Sequence, residues 1–432
     1  MKFPGKRKTK HYFPVSEETR TPLERNLVER GRVYVTGIDQ LIVDIEAHVD
    51  ESYLERFGLI KGESQIADGT IVEDIYQELR DQGKIVGEFA GGSTGNTLHN
   101  YAVLSDDDCV ALGAINRNIQ VGDYAYKYIC TTNSHVDLTY LKPCSGPMAR
   151  AMCLITPDKE RTFVIGKGIM NELSEDYIPE EVIEGSSSLL LSTYLLRDQS
   201  SPIFKATLKA VKIAKEAGVP VVLSLGTSGI IREYREFLLD FIESYVTIMA
   251  GNEEEVQYLV GEDDPLLALE KTLEFTDMAL LTVGKSGLYL GSYCDEEFLR
   301  STKDSLHSKS IPNYNAYEYS RAMRKRDCAH PKKIYTHINP FMGGPGQILN
   351  TNGAGDAALS AVLHDLSANC YHRLLVPNSP KHRGHFLTYS SVHQVAKYAN
   401  RASFEVLNQN SPRLSKGLPE KEDSLEESYW EM

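Results

Sequence analysis

Short apolar runs alternate with amphipathic helical stretches along most of this chain, and that alternation constrains the fold more than any other feature. Residues 33–36, 109–115, 188–192, 219–225, 245–250 and 278–282 read as strands. Residues 203–217 and 253–260 read as helices, and 357–366 opens another. Ile71, Val72, Ile75 and Leu79 recur at helical spacing within 69–80. Strands that are apolar at successive positions must be buried on both faces, which points to a parallel sheet covered by helices on each side. The expected fold is α/β, a doubly wound, mostly parallel sheet with helices on both faces. Its ligand sites should lie at the C-terminal ends of the strands.

Two stretches break the pattern. Residues 45–88 and 136–165 contain alternating pieces such as Arg161-Thr162-Phe163-Val164-Ile165, suited to a small second β-sheet. Residues 293–348 are polar, aromatic and basic, with Pro312, Pro331, Pro340 and Pro345, and read as an insertion in the core. That leaves 33–44, 89–135 and 166–419 for the α/β core, with 1–30 and 420–432 as terminal extensions. The first extension is basic (Lys6-Arg7-Lys8-Thr9-Lys10) and reads as a frayed arm; the second is acidic and carries the single tryptophan, Trp430.

Charge and cysteine usage exclude several classes of function. The chain has 46 basic and 60 acidic side chains, a formal charge of −14, whereas gripping nucleic acid needs cationic neutralisation of phosphates. No nucleic-acid partner is expected. The longest apolar stretches are strand-sized, so neither a signal peptide nor a membrane anchor is expected. The seven cysteines are scattered, with no C-x-x-C pair, which fits reduced thiols in a cytoplasm.

Four glycine-rich or acidic segments carry candidate chemistry. Asn350-Thr351-Asn352-Gly353-Ala354-Gly355-Asp356 runs straight into a helix, where small residues let first-turn amides approach an anion. Asp356 is then either a helix cap or a general base. Ala90-Gly91-Gly92-Ser93-Thr94-Gly95-Asn96-Thr97 leads into a helix at 98–104 and offers donors and acceptors suited to a polyol, or is simply a capped turn. Asn252-Glu253-Glu254-Glu255 opens a helix after an apolar strand. Asn252 and Glu255 share a face and could hold hydrated Mg²⁺, or merely complement the helix dipole. Asp39 and Asp44 follow the first strand and are either sugar-binding or solvated loop acids. Gly284-Lys285-Ser286 is not a P-loop, because Ala279 stands where that motif needs its first glycine. No G-x-G-x-x-G opens a βα unit, which disfavours an NAD-dependent oxidoreductase.

The order of these segments along one chain resembles the ribokinase-like (PfkB) family of small-molecule kinases, and within it the nucleoside kinases. The resemblance rests on Gly91-Gly92-Ser93-Thr94-Gly95-Asn96, Asn252-x-x-Glu255, Thr282-x-Gly284-x-x-Gly287 and Gly353-Ala354-Gly355-Asp356. It implies ATP-dependent phosphorylation of the 5′-hydroxyl of purine nucleosides, guanosine and inosine foremost, in the cytoplasm. The alternatives are an adenosine or sugar kinase of the same family, or a nucleoside-binding sensor without catalysis.

The same resemblance implies Asp356 as the base and the amides of Gly353, Ala354 and Gly355 as the anion hole. It implies Thr282, Gly284 and Gly287 along the ATP site, and Asn252 and Glu255 ordering Mg²⁺ through water and phosphates. Asp44, Asn96 and the Gly92-Ser93-Thr94-Gly95 segment would hold the ribose, with Asp39 near the nucleoside. Arg197 would contact substrate or lie on the surface. The second sheet would be a lid that excludes water. A monovalent cation such as K⁺ and a homodimer are further expectations. The family usually has Asp where this chain has Asn350, and the chain from Gly287 to Gly353 is longer than usual.

Overall fold

The computed structural model describes residues 33–418, except 63, 106, 159, 304, 305, 307, 309, 342–347 and 350. Asn350, the basic arm, residues 420–432 and part of the 293–348 stretch therefore lie outside the described residues. Among the described residues the large sheet has nine strands. From edge to edge they are Pro331–Ile338, Leu288–Asp295, Met278–Thr282, Ile248–Asn252, Val221–Ser224, Ser188–Ser192, Val35–Ile38, Cys109–Leu112 and Val136–Asp137. All neighbours pair in parallel except that Leu288–Asp295 runs antiparallel to both of its neighbours, Pro331–Ile338 and Met278–Thr282.

Both faces are packed, as the uninterrupted apolar strands require. Leu190 points into a core shared with the helices Ser93–Ser105, Ala354–Leu375 and Val392–Leu407. Leu189 and Leu191 point into a second core, shared with Pro202–Ala217 and Ser228–Tyr245. Strand order reverses at Val35–Ile38: the chain crosses first to Cys109–Leu112 on one side and later to Ser188–Ser192 on the other. A ligand crevice is expected outside the C-terminal end of such a strand. Asp39 is the next residue.

A separate five-stranded sheet runs Ser64–Ile66, Arg161–Gly166, Ala149–Ile155, Ile42–His48, Ile85–Ala90. Side chains alternate across it. Val43, Ile45, Met152 and Val164 pack on the helix Gly69–Asp81 through Val72, Ile75 and Leu79. Ile42, Asp44, Ala151, Phe163 and Ile165 face the cleft below.

The structure departs from the sequence expectations at several points. Residues 109–115 are two strands, because Gly113 turns the chain against the Asp39 carbonyl and the Leu41 side chain. Ala114–Asn116 then pairs with Lys142–Cys144 in a small sheet of its own. Val136–Asp137, expected in the second sheet, is the edge of the large one, and the first stretch that feeds the second sheet runs from Ile42 to Ala90 rather than over 45–88. The 293–348 stretch is not wholly an insertion, since its two ends, within Leu288–Asp295 and Pro331–Ile338, pair with each other in the large sheet. Tyr245, expected in a strand, ends the helix Ser228–Tyr245, and the strand that follows is Ile248–Asn252. The helix expected at 98–104 begins five residues earlier, at Ser93. Ile71 is exposed, and Tyr76 is buried on that helix instead.

Candidate active site

The helices Ser93–Ser105 and Ala354–Leu375 pack against each other, and their N-termini converge on one cleft. The cleft is lined by Asp39, Ser192, Ser224, Asn252 and Thr282, each at or just past the C-terminal end of a parallel strand. Its volume is about 1370 Å³. A pocket for one drug-sized ligand spans roughly 300–1,000 Å³, so this cleft has room for two.

Asp356 sits at the junction of the two helices. The residue capping its helix is Gly353, which has no side chain and adopts φ 78°; Asp356 is the third residue inside. Its carboxylate turns away from its own helix to the start of the other. There it accepts from Ser93 Oγ at 2.6 Å and from Asn96 Nδ2 at 3.4 Å. The capping role left open by the sequence is thereby excluded. Burial raises its pKa to about 6, against the lowering effect of hydrogen bonds from Ser93, Asn96 and Thr97. Ahead of it, the amides of Ala354 and Gly355 belong to a first turn without intrahelical partners, where the helix dipole favours an anion.

Ser93 and Asn96 lie three apart in a helix and so share its cleft-facing side. Thr94 and Gly95, expected to touch substrate, turn inward: Thr94 is buried against Gly37, and Gly95 packs on Asp39 and Tyr128. Their spacing in a loop would have allowed a cleft contact, but the early helix start rules it out. The glycines here make room for carboxylates. A Cβ at Gly92 would lie 2.7 Å from Asp39 Oδ2, and one at Gly91 would collide with Asp44. Asp39 is buried and accepts from Tyr128 Oη at 3.3 Å; Asp44 lies on the second sheet's cleft face. Burial raises Asp39 to about 6 and Asp44 to about 7, with Arg413 opposing in both cases. Arg197 lines the same cleft.

Farther along, Asn252 and Glu255 form a capping box. Asn252 Oδ1 accepts from the Glu255 amide and Glu255 Oε2 from the Asn252 amide, both at 2.9 Å. The dipole-complementing role is therefore realised, and both residues still line the cleft. Burial raises Glu255 to about 7, with the Asp356 and Glu254 charges adding to it. Among the described residues no group of three or more His, Cys, Asp or Glu side chains is placed to hold a metal ion directly, so Asn252 and Glu255 would meet a hydrated Mg²⁺ through water. Thr282, Gly284 and Gly287 also line the cleft. Gly287 has φ 89°, and a Cβ there would strike the Ile338 carbonyl, so only glycine is accommodated.

Several residues of the site escaped the sequence reading. Asn400, Ser403, Phe404 and Leu407 line the cleft from one face of Val392–Leu407. Their i, i+3, i+4, i+7 spacing was the available signal. Arg161 Nη1, from the second sheet, donates to Asn352 Oδ1 at 2.8 Å. Arg413 reaches in from the C-terminal segment, for which the local sequence carries no signal.

The raised carboxyls bear on stability. An acid whose folded pKa lies above its unfolded value stabilises the fold while protonated, and that contribution is lost as pH rises through the folded value. Asp44 and Glu255, at about 7, titrate where their unfolded counterparts are already ionised. The depressed histidines His99, His372 and His382 act with opposite sign, but below roughly pH 6.5. The ligand-free protein is therefore expected to lose a few degrees of Tm between roughly pH 6.5 and 8. Calorimetry showing a flat or rising Tm over that range would contradict the clustered, desolvated carboxyls.

Residues 62–308 match the pfkB family carbohydrate kinase model. Over 435 aligned residues the chain is 51% identical to the guanosine-inosine kinase of Escherichia coli (strain K12), covering 100% of each. The chain belongs to the pfkB family. Among solved structures, this pfkB-family chain resembles a probable sugar kinase from Rhizobium etli CFN 42. That match has a TM-score of 0.66 and 21% identity, over 90% of this chain and 97% of the other. It also resembles adenosine kinase from Sinorhizobium meliloti, with a TM-score of 0.65 and 23% identity, over 89% and 97%. These two likenesses bear on the fold. Among the described residues, no helix of the pfkB chain is long and apolar enough to cross a membrane.

Proposed function

We propose that this chain transfers the γ-phosphoryl group of ATP to the 5′-hydroxyl of guanosine and inosine. One observation carries the reading: a carboxylate, Asp356, is held by hydroxyl and amide donors between two helix N-termini, open to a cleft large enough for donor and acceptor together. With a pKa of about 6, Asp356 is about nine-tenths ionised at pH 7, yet basic enough to take a hydroxyl proton. The amides of Gly353, Ala354 and Gly355 then stabilise the equatorial oxygens of the migrating phosphoryl group, which asks for positioning and charge more than covalent help. Asp39, Asp44 and Asn96 hold the ribose hydroxyls and aim the 5′ oxygen at Asp356. Thr282, Gly284 and Gly287 flank the nucleotide. Asn252 and Glu255 would order Mg²⁺ through water, and the ion would supply charge neutralisation at the phosphates of ATP. The second sheet excludes water, which would compete as acceptor.

The 51% identical E. coli relative, named a guanosine-inosine kinase, supports the choice of base. So does chemistry: guanine and hypoxanthine share acceptors at O6 and N7, which an arginine fork such as that of Arg197 can engage, whereas adenine presents an amino donor at position 6. A cytoplasmic location belongs to this reading and fits the seven free cysteines. A K⁺ requirement and a homodimer stand beside it as expectations from the family. The experiment is to incubate the protein with Mg·ATP and a panel of nucleosides and sugars. Guanosine and inosine should be phosphorylated with the highest kcat/KM, and Arg197→Met should lower that preference over adenosine about tenfold or more. A panel led by adenosine or a free sugar would overturn the assignment.

A further inference from the structure

The last described segment of the chain returns to the active site, and Arg413, 317 positions after Asn96, enters between its glycine turns. Arg413 is 5% exposed and uses the whole guanidinium. Its Nε donates to Asn96 Oδ1 at 2.9 Å, Nη1 to Thr132 Oγ1 at 2.9 Å and Nη2 to the Gly91 carbonyl at 3.3 Å. It also lies 5.0 Å from the ring centroid of Tyr128, the residue that donates to Asp39. The neighbouring backbone is pinned. The Leu414 amide donates to Asn100 Oδ1 at 2.7 Å, and Pro412 abuts Gly353, where an added Cβ would lie 2.5 Å from the Pro412 carbonyl oxygen. Pro412 thus abuts the start of one helix that frames Asp356, and Arg413 and Leu414 bond to the other at Asn96 and Asn100.

We infer that Arg413 is a positioning residue for phosphoryl transfer: its fork fixes the Asn96 amide so that the NH₂ faces Asp356, and its guanidinium sets a positive charge beside the acceptor-side carboxylates. An arginine only donates. With Asn96 Oδ1 committed to Arg413, Nδ2 is left to face Asp356 Oδ2 at 3.4 Å. The flipped amide would set carbonyl against carboxylate and NH₂ against guanidinium, both repulsive. The charge argument is independent. Asp39, Asp44 and Asp356 interact with one another inside a desolvated pocket, with Glu255 and Tyr194 close enough to feel Asp356. Arg413 is the foremost influence opposing burial at Asp39 and Asp44, and it acts in the same direction at Asp356, behind the hydrogen bonds from Ser93, Asn96 and Thr97. Remove it, and the base becomes harder to ionise.

The inference rests on the kinase reading above, and its test is the pH profile of kcat for guanosine phosphorylation. Wild type should lose activity below about pH 6, as the base protonates. Arg413→Met should lower kcat at pH 7 about tenfold or more, move the acid limb to higher pH, and regain part of the rate by about pH 8.5. Arg413→Lys keeps the charge without the fork. Its limb should stay near the wild-type position while kcat falls several-fold, about three to ten, because one ammonium cannot hold Asn96, Thr132 and Gly91 together. A purely structural arginine would change Tm and leave the limb in place. A folded Arg413→Met enzyme with an unmoved limb and kcat within about twofold of wild type overturns the inference. Should that variant not fold, Arg413→Lys decides alone: a kept limb with lowered kcat supports it, and wild-type kcat refutes it. Failure of the wild type itself to phosphorylate guanosine would sink the kinase reading instead.

Discussion

Replacing Asp356 by asparagine is expected to lower kcat for guanosine phosphorylation by about 10³-fold, within the ~10²–10⁴ that a positioned general base contributes. Guanosine binding should persist within a few-fold of wild type, since the ribose contacts assigned to Asp39, Asp44 and Asn96 remain. The substitution is nearly isosteric: the remaining side-chain oxygen can accept from Asn96 Nδ2 while the new NH₂ donates to Ser93 Oγ. Stability should not fall, because a desolvated carboxylate is being neutralised. Calorimetric titration with guanosine and steady-state kinetics separate the two readouts. Near wild-type turnover would remove Asp356 from the role of base.

Replacing Gly353 by alanine should cost both activity and fold. The residue sits at φ 78°, a region that costs a non-glycine residue of order 1–3 kcal/mol. The new methyl group would also run into Pro412, with its carbonyl oxygen 2.5 Å away. Relief requires the helix start or the C-terminal segment to shift, and either movement displaces the first-turn amides from the phosphoryl group. We expect Tm to fall by several degrees and kcat by about 10²-fold, the cost typical of one lost preorganised donor. Gly355→Ala is the internal control. A Cβ there meets nothing within 4 Å and its φ is not positive, so its Tm should stay within about two degrees of wild type. Equal losses of Tm in the two variants would mean that the motif's glycines act through general flexibility rather than through this collision.

What the sequence made legible follows from where information is local. Strands such as Ser188–Ser192 and Met278–Thr282 were readable because burial on both faces forces an apolar residue at almost every position. Asp356, Asn96 and Asp44 were readable as candidates because each adjoins a glycine-rich turn or strand end whose shape the sequence advertises. Thr94 and Gly95 were misplaced for a geometric reason. A helix starting at Ser93 turns about 100° per residue, so Ser93, Asn96 and Thr97 can face Asp356 while Thr94 and Gly95 cannot. Arg413 was illegible, since Asn410-Ser411-Pro412-Arg413 looks like any polar loop and its partners lie at the other end of the chain. Tyr245 illustrates the remaining ambiguity: an aromatic beside an apolar run fits a strand start or a helix end, and the packing of Phe241 and Ile242 decided for the helix.

The most direct measurement is phosphorus NMR of the product formed from guanosine and Mg·ATP, with nucleoside-free and Asp356→Asn reactions alongside. The structure predicts phosphate on the 5′ oxygen, one ADP per monoester, almost no ADP without the nucleoside and almost no product from the variant. Phosphate on a 2′ or 3′ oxygen, or ATP cleaved at the same rate with no acceptor present, would show that the cleft does not bring a 5′-hydroxyl to Asp356.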